Sequence, residues 1–405
     1  MEWRRRTFFI ELSQAVAEHG TNLERMARTA DVAVVGGGIL GLAHAYAFAK
    51  KGRRVVLFER NARARGASIR NFGMIWPIGQ PPGEMLALAL RSREIWLEVT
   101  EAARLTYRPS GSLHVAYHPD EAEVLREFAE LGPSAGYPCE WLSDEATLRK
   151  SHAVRPDGLK GSLWSAAELT VDPREVAAVF PEYLRAIGVD LRYGTAVREI
   201  GLPLIEAGTE VWKADEAVVC SGDDFETLYP EIFALSGLTR SKLQMMRTAT
   251  QPAGWQLGPS LAGGLSLRFY KAFSICPSLG ALRRRTAAEK PECDRWGIHV
   301  LASQASDGAI TLGDSHEYGL DVDIFNKARI DDLILREAAA FLRLPDWSIA
   351  ERWHGVYALH PERPFFEAQP AAGVRIVTAP GGSGMTLAFG LAERTTKQMA
   401  YPKCA

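Results

Sequence analysis

The chain has 405 residues, a formal net charge of −2 and five cysteines. That length corresponds to roughly two to three domain-sized units, and the near balance of charge provides no drive toward nucleic acid or an anionic membrane. Cys139, Cys220, Cys276, Cys293 and Cys404 are odd in number, widely spaced and lack a C-x-x-C pair, which fits reduced thiols in a cytoplasmic protein with no disulfide framework and no metal site.

Residues 1–29 open with Trp3-Arg4-Arg5-Arg6-Thr7-Phe8-Phe9, a short likeness to a twin-arginine leader, but the following stretch 11–20 is a polar amphipathic helix pattern and not an apolar core. We read 1–29 as an N-terminal extension. No apolar run approaches the ~20 residues of a membrane span.

Val32 to Val35 has the all-apolar character of a buried parallel strand. Gly36-Gly37-Gly38-Ile39-Leu40-Gly41 follows, with Gly36, Gly38 and Gly41 in the G-x-G-x-x-G positions. The first allows a tight turn, the second lets the backbone approach a pyrophosphate, and the third lets helix pack on strand. An alanine-rich helix spans 39–50, and Arg54 to Phe58 is the next strand. Glu59 closes it where a carboxylate accepts hydrogen bonds from a ribose diol and repels a 2′-phosphate. Strand, glycines, helix, strand and acid within one βαβ length define a dinucleotide site.

The unit does not continue as a second mononucleotide half. It runs instead into Arg65-Gly66-Ala67-Ser68-Ile69-Arg70-Asn71-Phe72-Gly73-Met74, a turn-rich stretch suited to wrapping a cofactor. Helices are predicted at 84–104, 120–131 and 173–187, with strands at 111–117, 189–193, 195–200, 210–212 and 217–220. Segment 240–350 reads as strands alternating with loops, and Arg283-Arg284-Arg285 as a surface helix face. The last unit is a strand at 373–378, the loop Pro380-Gly381-Gly382-Ser383-Gly384, and a helix to about Met399. That order predicts a nucleotide domain built from 30–100, 168–235 and 352–400, and a second, sheet-rich domain from 101–167 and 236–351.

With both glycine loops placed, the chain resembles the FAD-dependent amine oxidoreductases of the D-amino-acid oxidase, glycine oxidase and sarcosine oxidase superfamily, from residue 31 to about 398. The resemblance rests on the first βαβ, Gly66-Ala67-Ser68 with Asn71-Phe72-Gly73, Val171-Asp172-Pro173, Val218-Val219-Cys220-Ser221-Gly222, and Gly381 to Thr386. Arg70-Asn71-Phe72-Gly73 with Trp76-Pro77 and Gly79-Gln80, Gly313-Asp314-Ser315-His316-Glu317 and Gly384-Met385-Thr386 further resemble a subgroup associated with aminophosphonate breakdown.

The resemblance implies an α/β fold: a Rossmann-like FAD-binding domain, discontinuous in sequence, with an α+β, sheet-rich substrate domain as in D-amino-acid oxidase-like flavoproteins. It implies FAD as cofactor, a small amine as substrate, and oxygen or another electron acceptor as partner. Gly36, Gly38 and Gly41 would hold the pyrophosphate, with Ile39 and Leu40 beside them and a further phosphate contact from Ser68. Glu59 and Arg60 would lie at the ribose, Val197 at the adenine, Asn71, Phe72, Gly73 and Met74 along the flavin ring, and Gly222 close to the cofactor. Gly382, Ser383, Gly384, Met385 and Thr386 would open a helix whose N-terminus faces the flavin edge that gains negative charge on reduction.

The sequence departs from this family at one informative place. Carboxylate-oxidising relatives carry a W-x-G-x-R-P-like run whose arginine clamps the substrate carboxylate. Here the run is Trp353-His354-Gly355-Val356-Tyr357-Ala358, with tyrosine for the arginine. An anionic substrate then needs other cations, and Arg268, Lys271, His316, His360 and Arg363 are the candidates. Strand alternation would set Arg268 and Tyr270 on one face. Phe72, Trp76, Tyr270, Trp353 and Tyr357 are candidate aromatic walls, and no residue is singled out as a catalytic base. The expected reaction is oxidation of 2-aminoethylphosphonate or its N-methyl form to phosphonoacetaldehyde. Oxidation of glycine- or sarcosine-like amines, oxidation of a 2-hydroxy acid, and flavin binding without turnover stand as alternatives.

Overall fold

The computed structural model describes residues 27–399. The leader-like run 3–9 and most of the extension therefore lie outside the described residues. Arg28–Thr29 belongs to the fold: it pairs in parallel with Glu210–Lys213 at the edge of a four-stranded sheet.

Val32–Val35 is central to a six-stranded sheet ordered Asp190–Tyr193, Val55–Glu59, Val32–Val35, Glu216–Val219, Val374–Thr378, Phe366–Ala371. The first five strands are parallel and the last antiparallel. Apolar residues fill both faces because helices cover one side and the four-stranded sheet's core the other. The helix Ile39–Ala49 packs close through its alanines, with Ala43 and Ala45 fully buried. Beside it run Glu84–Ala103 and Gly384–Met399, locked by Trp96 edge-on to Phe389 at 4.9 Å between centroids.

A nine-stranded sheet forms the second layer, with the long strand Thr239–Thr250 pairing Ile349–Leu359, Ala309–Gly313 and Glu317–Gly319. Arg283, Arg284 and Arg285 lie on the helix Leu279–Glu289, as expected of a surface helix face, but the strands-and-loops pattern at 240–350 missed two others, Pro291–Arg295 and Ala328–Phe341. The last buries Ile330, Leu333, Ile334, Ala338 and Phe341 on the sheet, a helical spacing that was present in the sequence. Two expected domain boundaries fall inside elements: 100/101 within the helix Glu84–Ala103, and 351/352 within the strand Ile349–Leu359. That strand spans both regions, pairing with Thr239–Thr250 and bridging from Leu359 to Pro380 at the second glycine loop. Among the described residues no helix is long and apolar enough to cross a membrane.

Candidate active site

At the end of Val32–Val35 the chain turns sharply. Gly36 has φ +106°, and a Cβ there would stand 2.3 Å from the Cys220 carbonyl oxygen, so only glycine fits. A Cβ on Gly38 would stand 2.9 Å from Ser68 Oγ. That hydroxyl accepts a hydrogen bond from the Ile39 N–H at 2.9 Å, placing a polar oxygen at a helix N-terminus, where phosphate oxygens are favoured. Glu59 accepts from the Gly37 N–H at 2.8 Å through Oε2, and from the Asn61 N–H and Nδ2 at 2.9 Å through Oε1. Its carboxylate is thereby held against the glycine turn.

From this turn a cavity of about 740 Å³ opens. Near Glu59 its wall includes Gly36, Gly38, Ile39, Leu40, Arg60, Ser68, Val197 and Gly222; Asn71, Phe72, Met74, Gly382, Ser383, Gly384, Met385 and Thr386 complete it toward the last helix. Arg60 is held there by Asp224 at 2.7 Å. Two residues expected at the cofactor lie behind the wall. Gly41 supports the packing of helix on strand, since a Cβ would meet the Gly36 carbonyl oxygen at 1.9 Å; at Gly73 a Cβ would meet that of Val171 at 1.9 Å.

The second loop is braced from three directions. The Trp76 N–H donates to Thr386 Oγ1 at 2.9 Å, Gln80 Nε2 to Ser383 Oγ at 2.9 Å, and Trp96 Nε1 to the Met385 carbonyl at 2.7 Å. A long cavity with a glycine cradle at one helix N-terminus and a second helix's first turn in the same wall fits FAD.

Tyr270, Lys271, His316, Tyr357 and His360 line the cavity, and Arg268 does not. The expected strand is instead two short helical turns, Gly264–Arg268 and Lys271–Ile275. Arg268 turns away from the cavity because its acceptors lie elsewhere: the carbonyls of Cys293 and Ile298 at 3.2 and 2.9 Å and the Asp294 carboxylate at 3.2 Å. His316 is buried, and desolvation lowers its pKa to about 4, so it is a neutral imidazole at pH 7 and not the expected cation. His360 spends Nδ1 accepting from the Glu362 and Arg363 N–H groups, each at 3.0 Å. Lys271 and Arg363 line the cavity with no ion pair among the described residues. Trp353 is absent from this wall and packs against Arg174.

Tertiary structure adds Phe269, Tyr318, His299 and Asp314 to the wall. The Asp314 and His299 backbones exchange hydrogen bonds of 2.7 and 3.2 Å, and Asp314 Oδ1 lies 3.1 Å from His299 Nε2. Burial raises the Asp314 carboxyl well above the usual carboxylate range and holds His299 well below that of histidine. A lone histidine in the apolar run 298–302, and an aspartate directly after the buried strand Ala309–Gly313, were the available signals. Burial also drives the Tyr270 and Tyr357 hydroxyls upward, so both are neutral donors.

These features define a flavoprotein oxidoreductase. The chain belongs to the family described as FAD dependent oxidoreductase, which it matches over residues 31–398, and its cofactor is FAD. It is 25% identical to glycine oxidase of Geobacillus kaustophilus over 204 residues, 47% of this chain and 54% of that protein. It is also 25% identical to the bifunctional protein ThiO/ThiG of Synechocystis over 383 residues, 90% of this chain and 50% of that one. The chain thus spans about half the length of these curated relatives. The crystal structure of glycine oxidase from Geobacillus kaustophilus superposes with a TM-score of 0.73 at 19% identity, covering 92% of this chain and 95% of the other, a likeness of fold.

Proposed function

We propose that this protein oxidises a small amine at the carbon bearing nitrogen, and that the amine is 2-aminoethylphosphonate or its N-methyl form. The imine hydrolyses to phosphonoacetaldehyde and ammonia or methylamine. Tyr357 is the observation that carries this reading. A half-buried neutral phenol stands in the wall where carboxylate-oxidising relatives carry arginine, so a substrate carboxylate finds no bidentate partner there. Lys271 and Arg363, both unpaired among the described residues, are partners for a phosphonate.

FAD, when bound, accepts the two electrons of the C–H bond. The protein must first favour a neutral amine. An aliphatic ammonium resembles lysine, with pKa about 10.4, so neutralising it at pH 7 costs roughly 4–5 kcal/mol in water. Phe72, Trp76, Phe269 and Tyr270 in the wall exclude water and lower that cost. The first turn of Gly384–Met399 stabilises adjacent negative charge by up to ~2 kcal/mol when partly buried. Oxygen or another acceptor removes the electrons.

The test is an anaerobic bleaching screen with aminophosphonates, amino acids, simple amines and hydroxy acids, with aldehyde release measured in parallel. Fast bleaching by 2-aminoethylphosphonate or its N-methyl form supports the reading. Turnover of glycine or sarcosine with none of aminophosphonates discards it in favour of a second reading, an amino-acid oxidase, which the similarity to glycine oxidase motivates.

A further inference from the structure

We propose that Asp314, backed by His299, is the seat of the substrate's ammonium group and takes one of its protons, so that oxidation begins with a free nitrogen lone pair. The inference rests on the amine reading above and names the group that handles the amine end.

The geometry supplies the argument. Asp314 and His299 are 6% and 2% exposed, yet both line the cavity. Asp314 Oδ1 and both ring nitrogens of His299 have no hydrogen-bond partner among the described residues, although Oδ1 and Nε2 stand 3.1 Å apart. Buried polar atoms left this way cost on the order of 1–3 kcal/mol each, and a ligand with N–H donors satisfies them. Among the described residues no cation pairs with Asp314. Tyr270, Tyr318 and Tyr357 face Asp314 as neutral phenols. His316 stacks on His299 at 5.1 Å between centroids and is neutral, with Nδ1 against the Gly297 carbonyl. The Arg268 guanidinium lies behind the histidines, engaged with Asp294, and Lys271 lies at an exposed position of the wall.

Charge balance decides the direction of transfer. An ammonium beside an ionised carboxylate places two charges in a desolvated pocket. Passing one proton from nitrogen to Asp314 leaves a neutral amine and a neutral carboxyl, and burial favours that pair on both sides. His299 Nε2 then shares the carboxyl proton across the 3.1 Å contact. Overall, R–CH2–NH3+ gives its proton to the carboxylate, the C–H bond then gives hydride to FAD, and R–CH=NH2+ with water yields R–CHO and NH4+. The carboxyl proton leaves to solvent, or with the reduced cofactor, before the next turnover.

The experiment follows anaerobic flavin reduction in the holoenzyme from about pH 6 to about pH 10 with whichever amine bleaches it, comparing wild type, Asp314→Asn and His299→Gln. Asp314→Asn is expected to slow reduction by about 100-fold or more at pH 7, with the deficit shrinking as pH approaches the amine's own pKa, because solvent then delivers the free base. His299→Gln is expected to give a smaller loss and a displaced limb. Binding of an analogue with no hydrogen on the amine-bearing carbon, (2-amino-2-methylpropyl)phosphonate, measured by calorimetry in two buffers, is a readout without turnover. At a pH where Asp314 is ionised in the ligand-free enzyme, wild type should exchange almost no proton with buffer, and Asp314→Asn should bind more weakly or release close to one proton.

Equal rates in wild type and Asp314→Asn overturn the proposal, as does a loss identical at every pH, which marks a structural role. A stoichiometric divalent ion, removed by chelator together with activity, overturns it in favour of a metal held by His299, Asp314 and His316. Should no amine bleach the wild type, the amine reading itself falls and takes this inference with it. Should amines bleach both proteins alike, only this inference falls.

Discussion

The Tyr357 hydroxyl stands over Gly382: a Cβ at Gly382 would lie 3.4 Å from Tyr357 Oη. A residue of the nine-stranded sheet thus stands against the glycine loop that opens the last helix, and its side chain lines the cavity beside that loop. Replacing Tyr357 by arginine puts a bidentate cation there. For Tyr357→Arg we expect kcat/KM for glycine or sarcosine to rise about 10- to 100-fold, the range of a charge-assisted hydrogen bond worth about 1.5–3 kcal/mol. The ligand-free variant should melt lower than wild type, because the guanidinium is half-buried without a carboxylate partner, and recover on adding a carboxylate ligand. Steady-state kinetics and thermal melts check both.

On the proposed phosphonate reading, Lys271 would hold the other end of the substrate. Its ammonium has no carboxylate partner among the described residues, and it is exposed. Lys271→Ala should raise KM for 2-aminoethylphosphonate by about 10-fold, with kcat nearly unchanged and the effect fading in high salt. Propylamine, which lacks the anionic group, should show no change.

The two cofactor-side glycines separate folding from binding. Gly36→Ala forces alanine to φ +106° with its Cβ 2.3 Å from a backbone oxygen that cannot move aside. A loss of about 3 kcal/mol or more is expected, or failure to fold. In Gly38→Ala the neighbour is Ser68 Oγ, the end of a small rotatable side chain. That variant should fold, within about 1 kcal/mol of wild type, and bind FAD at least about 10-fold more weakly, a difference of about 1.4 kcal/mol. Denaturant titrations of the apoprotein and flavin titrations distinguish the two.

His114 predicts an acid-side loss of stability. It is fully buried beside Trp76 and Phe273, with neither ring nitrogen hydrogen-bonded among the described residues, and desolvation lowers its pKa to about 3. The unfolded histidine has pKa about 6.5 and binds the extra proton, so this contribution is complete above about pH 6.5 and is lost as pH falls toward 3. His114→Leu should remove about 1.4 kcal/mol per pH unit of slope within that window. Urea melts at several pH values measure it; an unchanged slope would show that His114 titrates normally in the folded protein.

The nucleotide half of the site was legible because its signals are local. Val32–Val35, the glycine turn and Glu59 lie within one βαβ unit, where backbone sterics and strand burial dictate the geometry. Ser68 and Gly382 to Thr386 were legible through resemblance. The substrate half was not, because its side chains are aimed by distant partners. Arg268 left the cavity for carbonyls at 293 and 298, acceptors that no local pattern reveals. His316 lost its expected charge through burial, which depends on everything packed around it.

By itself, then, the order of residues determined the cofactor-binding turn and the first βαβ unit, since each follows from spacing over a few neighbours, while the absence of arginine at position 357 was legible only against the family resemblance. Only the folded chain decided which polar groups share the cavity. Asp314 meets His299 because the strands Leu301–Gln304 and Ala309–Gly313 pair antiparallel and carry both residues to one end. Their titration follows from the water that this packing excludes, a property of the assembled interior and not of any segment within it.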